Sequence, residues 1–212
     1  MKIAHLVAYC LSGFIKIYTG VHTRWLGESV HRKTACVYYA NHRSHGDFLL
    51  IWASLPEHRR VKTRPVAAGD YWLKGVIRQY VINQVFRGVL INRQSGRAAE
   101  SIDRMSEVLN ANESLIIFPE GTRNSDENLL PFKGGIFHLA CQHPNVEFIP
   151  VWIENIGRVM PKGSLMPLPL LCAITFGRPL VHVVNESKDH FLERARTIFF
   201  NTTFAKSKYS IF

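Results

Sequence analysis

Apolar residues along this chain follow two rhythms. Short continuous runs rich in β-branched and aromatic side chains predict strands over Ala35–Ala40, Pro65–Ala68, Val89–Ile91, Ser114–Phe118, Val146–Trp152, Ala173–Phe176 and Leu180–Val184. Between them, apolar positions spaced three and four apart predict helices over Ile3–Tyr18, Asp47–Leu55, Tyr71–Gln84, Gly96–Asn110, Gly135–Gln142 and Lys188–Phe199. Strands that are apolar at nearly every position are covered on both faces. The pattern therefore predicts an α/β fold: a single domain with a largely buried sheet flanked by helices. No internal repeat or low-complexity stretch interrupts it. The segment Met160–Leu171, with three prolines, reads as a surface loop or a lipid-facing excursion. The tail after Asn201 carries no assignable pattern.

The first helix stands apart. Residues Ile3 to Ile15 are mostly apolar and lie between Lys2 and Lys16, with Trp25 following. A helix of that length reaches only about 20 Å, short of the roughly 30 Å hydrocarbon core of a bilayer. No small-x-small cleavage site follows Ile15, as a signal peptide would require. Two readings stay open: a core helix of the domain, or a helix lying in one leaflet. The expected division is an apolar membrane-associating helix over 1–20 and a catalytic domain over 21–212.

Composition narrows the partners. The 212 residues carry a net charge of +10, and 47% are apolar, enough for a real core. The sequence pI near 9.7 points to an anionic partner, nucleic acid or membrane. Basic residues fall in small groups such as Arg59-Arg60-Val61-Lys62-Thr63-Arg64. Zinc-finger spacing and RNA-binding signatures are missing, but charge alone does not choose; the motifs below turn the expectation to membrane and no nucleic acid. Cys10, Cys36, Cys141 and Cys172 are widely separated, without CxxC spacing, and read as reduced small hydrophobes of a cytoplasmic protein.

Four segments can carry chemistry. In Asn41-His42-Arg43-Ser44-His45-Gly46-Asp47, His42 and Asp47 would sit about 140° apart on a regular helix, but a strand-to-helix turn can bring them together. Asp47 would then fix one imidazole nitrogen and leave the other basic; alternatively Asp47 or Ser44 merely caps the following helix. His45 competes as base but lacks a carboxylate five residues on. Phe118-Pro119-Glu120-Gly121-Thr122-Arg123 ends an apolar strand, where α/β sheets place ligand sites. There Gly121 lets backbone N–H groups approach an anion, Thr122 adds a hydroxyl, and Arg123 can grip phosphate. Glu120 would orient Arg123 or receive an acceptor hydroxyl. The bland alternative is a turn with a surface ion pair. Gly88 to Arg93 is another apolar strand ending in Arg, and Ile149-Pro150-Val151-Trp152-Ile153 reads as core strand or acyl-chain wall. Lys133 is either a solvated loop lysine or a further cation for the same phosphate.

Taken together and in this order, these segments resemble the lysophosphatidic acid acyltransferase family and its glycerolipid acyltransferase relatives. The His-x-x-x-x-Asp block matches His42 and Asp47, and the Phe-Pro-Glu-Gly-Thr-Arg block matches residues 118–123 without a substitution. The resemblance covers Ala35 to about Leu180. It implies a glycerolipid acyltransferase-like fold and His42/Asp47 as catalytic pair. It further implies that Arg93, Glu120, Gly121, Thr122 and Arg123, with Lys133, hold a phosphate-bearing acceptor. The expected reaction moves a fatty acyl group from acyl-CoA or acyl-carrier protein to the hydroxyl of a lysolipid, with lysophosphatidic acid leading. Lyso-ornithine lipid and glycerol 3-phosphate are the alternative acceptors, and a non-catalytic lipid binder or a thioester hydrolase the alternative functions. The scheme calls on no metal and no cofactor beyond the acyl carrier. It places the protein at anionic lipid on the cytoplasmic face of the inner membrane, peripheral or monotopic. Two departures are visible. Gly69-Asp70 stands where many relatives carry a lysine, and the N-terminal segment is short for a two-helix anchor.

Overall fold

The computed structural model describes residues 2–27, 33–44, 46–92, 97–124, 129–154 and 172–204. Arg93, His45 and the Met160–Leu171 segment lie outside the described residues. The strands are β1 (His22–Trp25), β2 (Cys36–Ala40), β3 (Thr63–Ala68), β4 (Val89–Ile91), β5 (Ser114–Ile117), β6 (Glu147–Glu154) and β7 (Ala173–Phe176). They form one seven-stranded sheet in the order β1-β7-β6-β2-β5-β3-β4. All neighbours run parallel except β6 and β7.

The central strands show why the apolar runs are continuous. In β2, Cys36, Tyr38 and Ala40 enter one core, while Val37 and Tyr39 enter the other. Successive side chains point to opposite faces of a strand, and here both faces are covered. One cover holds α1 (Lys2–Thr19) and α2 (Asp47–Ser54); the other holds α6 (Ala98–Asn110), α7 (Gly135–Gln142) and α8 (Lys188–Phe204). The expected α/β class and flanked sheet are what the structure shows.

Several elements differ from the expectation, each for a local reason. β1 is an edge strand with one large apolar residue, Trp25, which stacks on Phe176 at 3.9 Å and 5°. Its signal is therefore too thin to read. Leu180–Val184 contributes only a bridge from Leu180 to Phe148. β6 begins one residue later than expected, at Glu147, and runs two residues further, to Glu154, because Ile153 and Glu154 pair with β7. The helix expected over Tyr71–Gln84 is broken into α4 (Gly69–Trp72), α5 (Val76–Tyr80) and a π turn over Val81–Val85. Gly75 takes φ +96°, a conformation that ends a right-handed helix. The sheet-bound end is then re-aimed by the π turn, which buries Ile82 and Val85. A short α3 (Glu57–Arg60) was not foreseen, and α8 runs on through Phe204, past the expected stop at Phe199.

α1 takes something from both of its expected readings. Its inner face packs on α2, burying Ile15 in the core and placing Ser12 to accept from Arg60 at 2.8 Å. Its outer face leaves Ile3, Leu6, Tyr9, Phe14 and Ile17 exposed. Among the described residues, no helix is long and apolar enough to cross a membrane.

Candidate active site

The site grows from the carboxyl end of β2. Asn41, the next residue, extends the ladder with its side chain: Nδ2 donates to the Ile153 carbonyl at 3.0 Å, and Ile153 N–H donates to Oδ1 at 2.9 Å. This clamp fixes where the chain leaves the sheet. Five residues follow, and α2 begins at Asp47, whose side chain is fully buried. One carboxylate oxygen, Oδ2, accepts from Arg43 N–H at 2.7 Å and Ser44 N–H at 2.9 Å, and meets His42 Nδ1 at 2.8 Å. An ionised carboxylate only accepts, so the imidazole proton sits on Nδ1 and Nε2 is left as the basic nitrogen. The ring is steadied from one side by Phe118, with centroids 4.2 Å apart and planes 20° off parallel. Asp47 thus opens the helix and orients the imidazole at once.

The loop after β5 closes against this turn. Glu120 is buried: Oε1 accepts from His42 N–H at 2.9 Å, while Oε2 accepts from Leu130 N–H at 3.0 Å and Asn124 Nδ2 at 3.2 Å. Asn124 N–H in turn donates to the His42 carbonyl at 2.7 Å. Glu120 therefore braces the loop and the His42–Asp47 turn. It is not on the groove wall, although its neighbours Pro119 and Gly121 are, so the expected contact with Arg123 or an acceptor hydroxyl gives way to a bracing one. Thr122 is exposed and also off the wall. Gly121 takes φ +71°, and a Cβ there would lie 3.1 Å from Lys133 Cε. The missing side chain lets Lys133 lie across the loop, held by its own N–H to the Pro119 carbonyl at 2.8 Å.

A cavity of about 1160 Å³ opens over the carboxyl ends of β3, β4 and β5. Its wall runs from Phe48 and Trp72, past His42 and Phe118, to Ile102 and Leu139 between α6 and α7. Arg123 and Lys133 are on the wall, and Asp70 is on it too. Parallel sheets place ligands at this end, and the size suits a long-chain substrate. Of the expected site residues, the structure brings His42, Asp47, Gly121, Arg123 and Lys133 together and sets Glu120 beneath them. Sequence reasoning missed Asn41 and Asn124 as braces; an Asn just before the histidine was the one available signal. Nearby, burial and then the Asp47 charge push the Cys172 thiol up to about 11, so it stays neutral and is no nucleophile near neutral pH.

Residues 23–154 match the profile of the acyltransferase family. The chain belongs to that family. It is similar to a 1-acyl-sn-glycerol-3-phosphate acyltransferase of Limnanthes douglasii, 28% identical over 188 residues, covering 85% of this chain and 62% of the relative. The sheep enzyme described as 1-acyl-sn-glycerol-3-phosphate acyltransferase alpha is 35% identical over 129 residues, covering 56% of this chain and 40% of the relative. The chain thus spans about three-fifths of the plant relative's length. Among solved structures, the 1-acyl-sn-glycerophosphate acyltransferase PlsC of Thermotoga maritima superposes with a TM-score of 0.76 at 21% identity, over 99% of this chain and 83% of that one. At that identity the likeness speaks for the fold, and the sheet with its flanking helices is shared.

Proposed function

We propose that this family member transfers a fatty acyl group from acyl-CoA or acyl-carrier protein to the free hydroxyl of a lysolipid, lysophosphatidic acid first among them. The observation that carries the reading is His42, held by Asp47 at 2.8 Å, on the wall of a cavity that Arg123 and Lys133 also line. His42 Nε2 takes the acceptor's hydroxyl proton as the oxygen attacks the thioester carbonyl. The C–S bond breaks, and the departing thiolate receives that proton from the imidazolium. The thiolate leaves readily, so direct transfer needs no acyl-enzyme. Asp47 supports the imidazolium while it exists. Arg123 and Lys133, with the Gly121 backbone, hold the acceptor phosphate so that its hydroxyl lies against His42. Outward apolar residues of α1 and the basic surface would bring the enzyme to anionic lipid on the cytoplasmic face of the membrane.

Asp70 on the cavity wall favours one second reading. A carboxylate there suits an acceptor that carries an amine, such as a lyso-ornithine lipid. Labelled acyl donor offered with a panel of lysolipids decides between the two: labelled phosphatidic acid supports the first, a labelled amine-bearing lipid the second. Free fatty acid formed without acceptor would replace both with a hydrolase.

A further inference from the structure

Resting on the proposed action upon a membrane lipid, we propose that Leu73–Tyr80 is a second membrane-inserting element, separate from α1, that seats the lip of the cavity on an anionic bilayer. All eight residues of this stretch are exposed. Leu73, Val76, Ile77 and Tyr80 show 52%, 83%, 80% and 41% of their surface, and α5 buries no residue at all. A water-facing helix that covers nothing gains no stability from apolar side chains at i, i+1 and i+4, whereas a lipid interface rewards them. The stretch is nonetheless ordered. Gln79 Nε2 donates across it to the Leu73 carbonyl at 2.7 Å, and the chain then dives into the core at Ile82, Val85 and Phe86.

The charges identify the occupant. Lys74 and Arg78 alternate with the apolar residues, and no Asp or Glu occurs between Asp70 and Glu100. Apolar tips with interleaved cations suit anionic headgroups above an acyl layer. A second copy of this chain docking here about a two-fold axis would set Lys74 and Arg78 against their own like charges. Position supplies the purpose. Arg78 rests 4.6 Å over the ring of Tyr71, which with Trp72 lines the cavity, and α1 packs against the π turn that continues α5. The bilayer would thus be touched on both sides of that turn, and a lysolipid could move sideways from leaflet to cavity.

Replacing Val76 and Ile77 together by Asp tests this, because neither residue lines the cavity. The full chain is measured for sedimentation with phosphatidylglycerol-containing vesicles, and for activity on vesicle-embedded and on water-soluble short-chain lysophosphatidic acid. Vesicle binding and vesicle activity should each fall at least about tenfold, with soluble-substrate activity unchanged. In a second protein, Ile77→Trp, the added fluorescence should shift to the blue with vesicles and be quenched by brominated lipid. Undiminished vesicle binding in the Asp variant, or a tryptophan indifferent to vesicles, overturns the proposal, as does a dimer that dissociates in the Asp variant. Wild-type protein inactive on the soluble substrate would instead count against the lysophosphatidic acid reading, leaving the vesicle arms to judge the insertion.

Discussion

The turn at 41–47 and the loop at 118–124 each bury a carboxylate that accepts three hydrogen bonds, yet they divide the labour differently. Asp47 gathers all three on Oδ2, and Oδ1 is buried with no donor among the described residues. Glu120 distributes its three over both oxygens. The first arrangement leaves one atom to serve backbone and imidazole together, so its charge is aimed at His42. The second ties three pieces of chain and lies off the cavity wall. An isosteric amide separates them. Asparagine at 47 can put its one oxygen where Oδ2 was and keep every bond, with its NH₂ in place of an Oδ1 that had no partner among the described residues, so what those bonds lose is the charge. Glutamine at 120 cannot: whichever way it turns, an NH₂ faces an N–H donor.

The largest expected effect comes from removing the group both carboxylates serve. His42→Ala should lower turnover by about a hundred- to ten-thousandfold with the fold intact, and adding Asp47→Asn should cost little more. A His42→Ala protein keeping over about a tenth of its rate would end the general-base scheme. Asp47→Asn alone should cut turnover about a hundredfold or more, since a neutral amide supports an imidazolium far less than a carboxylate does. Its melting temperature should stay near wild type.

Glu120→Gln should invert that pattern. A buried donor left facing a donor costs about 1–3 kcal/mol, which for a chain this long lowers Tm by roughly 2–12 °C. Turnover should suffer less than in Asp47→Asn. Thermal melts and initial rates on both variants check this, and the comparison fails if Asp47→Asn proves the less stable and more active of the two. Arg123→Ala probes what the loop presents rather than what braces it. Losing one charge-assisted contact at an exposed rim should raise the KM for a phosphate acceptor about five- to thirtyfold. A rise only in the donor's KM would reassign Arg123 to the acyl carrier.

The smallest effect calibrates the others with a carboxylate remote from the cavity. Glu186 is gripped by Arg194 at 2.5 and 2.7 Å and by His190 at 2.8 Å. The Arg194 hydrogen bonds, ahead of the His190 contact, pull its carboxyl from the usual 4.5 down to about 2. A depressed value stabilises the fold fully above about 4.5 and loses that stability as pH falls toward about 2. Glu186→Gln should therefore melt below wild type at pH 7, with the gap closing between those two pH values and activity unaffected.

Much of this was legible beforehand. Runs apolar at every position announced a sheet covered on both sides, and β4, β7 and α7 have the predicted bounds. The His42–Asp47 approach was readable because a strand that ends at Ala40 and a helix that begins at Asp47 leave only residues 41–46 to reverse the chain. Glu120 was misread because a carboxylate beside an arginine looks alike whether it faces ligand or backbone; only the fold shows it buried beneath the loop. The break at Gly75 was hidden because Val76, Ile77 and Tyr80 continue a helical spacing while pointing into solvent. Spacing reports which residues share a face, and says nothing of what that face meets.

The register of β1 sets a clock. His22 pairs with Ala173 and Trp25 with Phe176, across about 150 residues of intervening chain. At roughly 5–20 residues per second, the ribosome delivers β7 about 8–30 s after β1. For that interval the first strand has no neighbour in the sheet, and the apolar faces of α1 have no finished domain to lean on. If α1 associates with lipid as proposed above, its outward apolar residues would be free to meet the bilayer before the fold is complete, and the sheet would then assemble beside the leaflet.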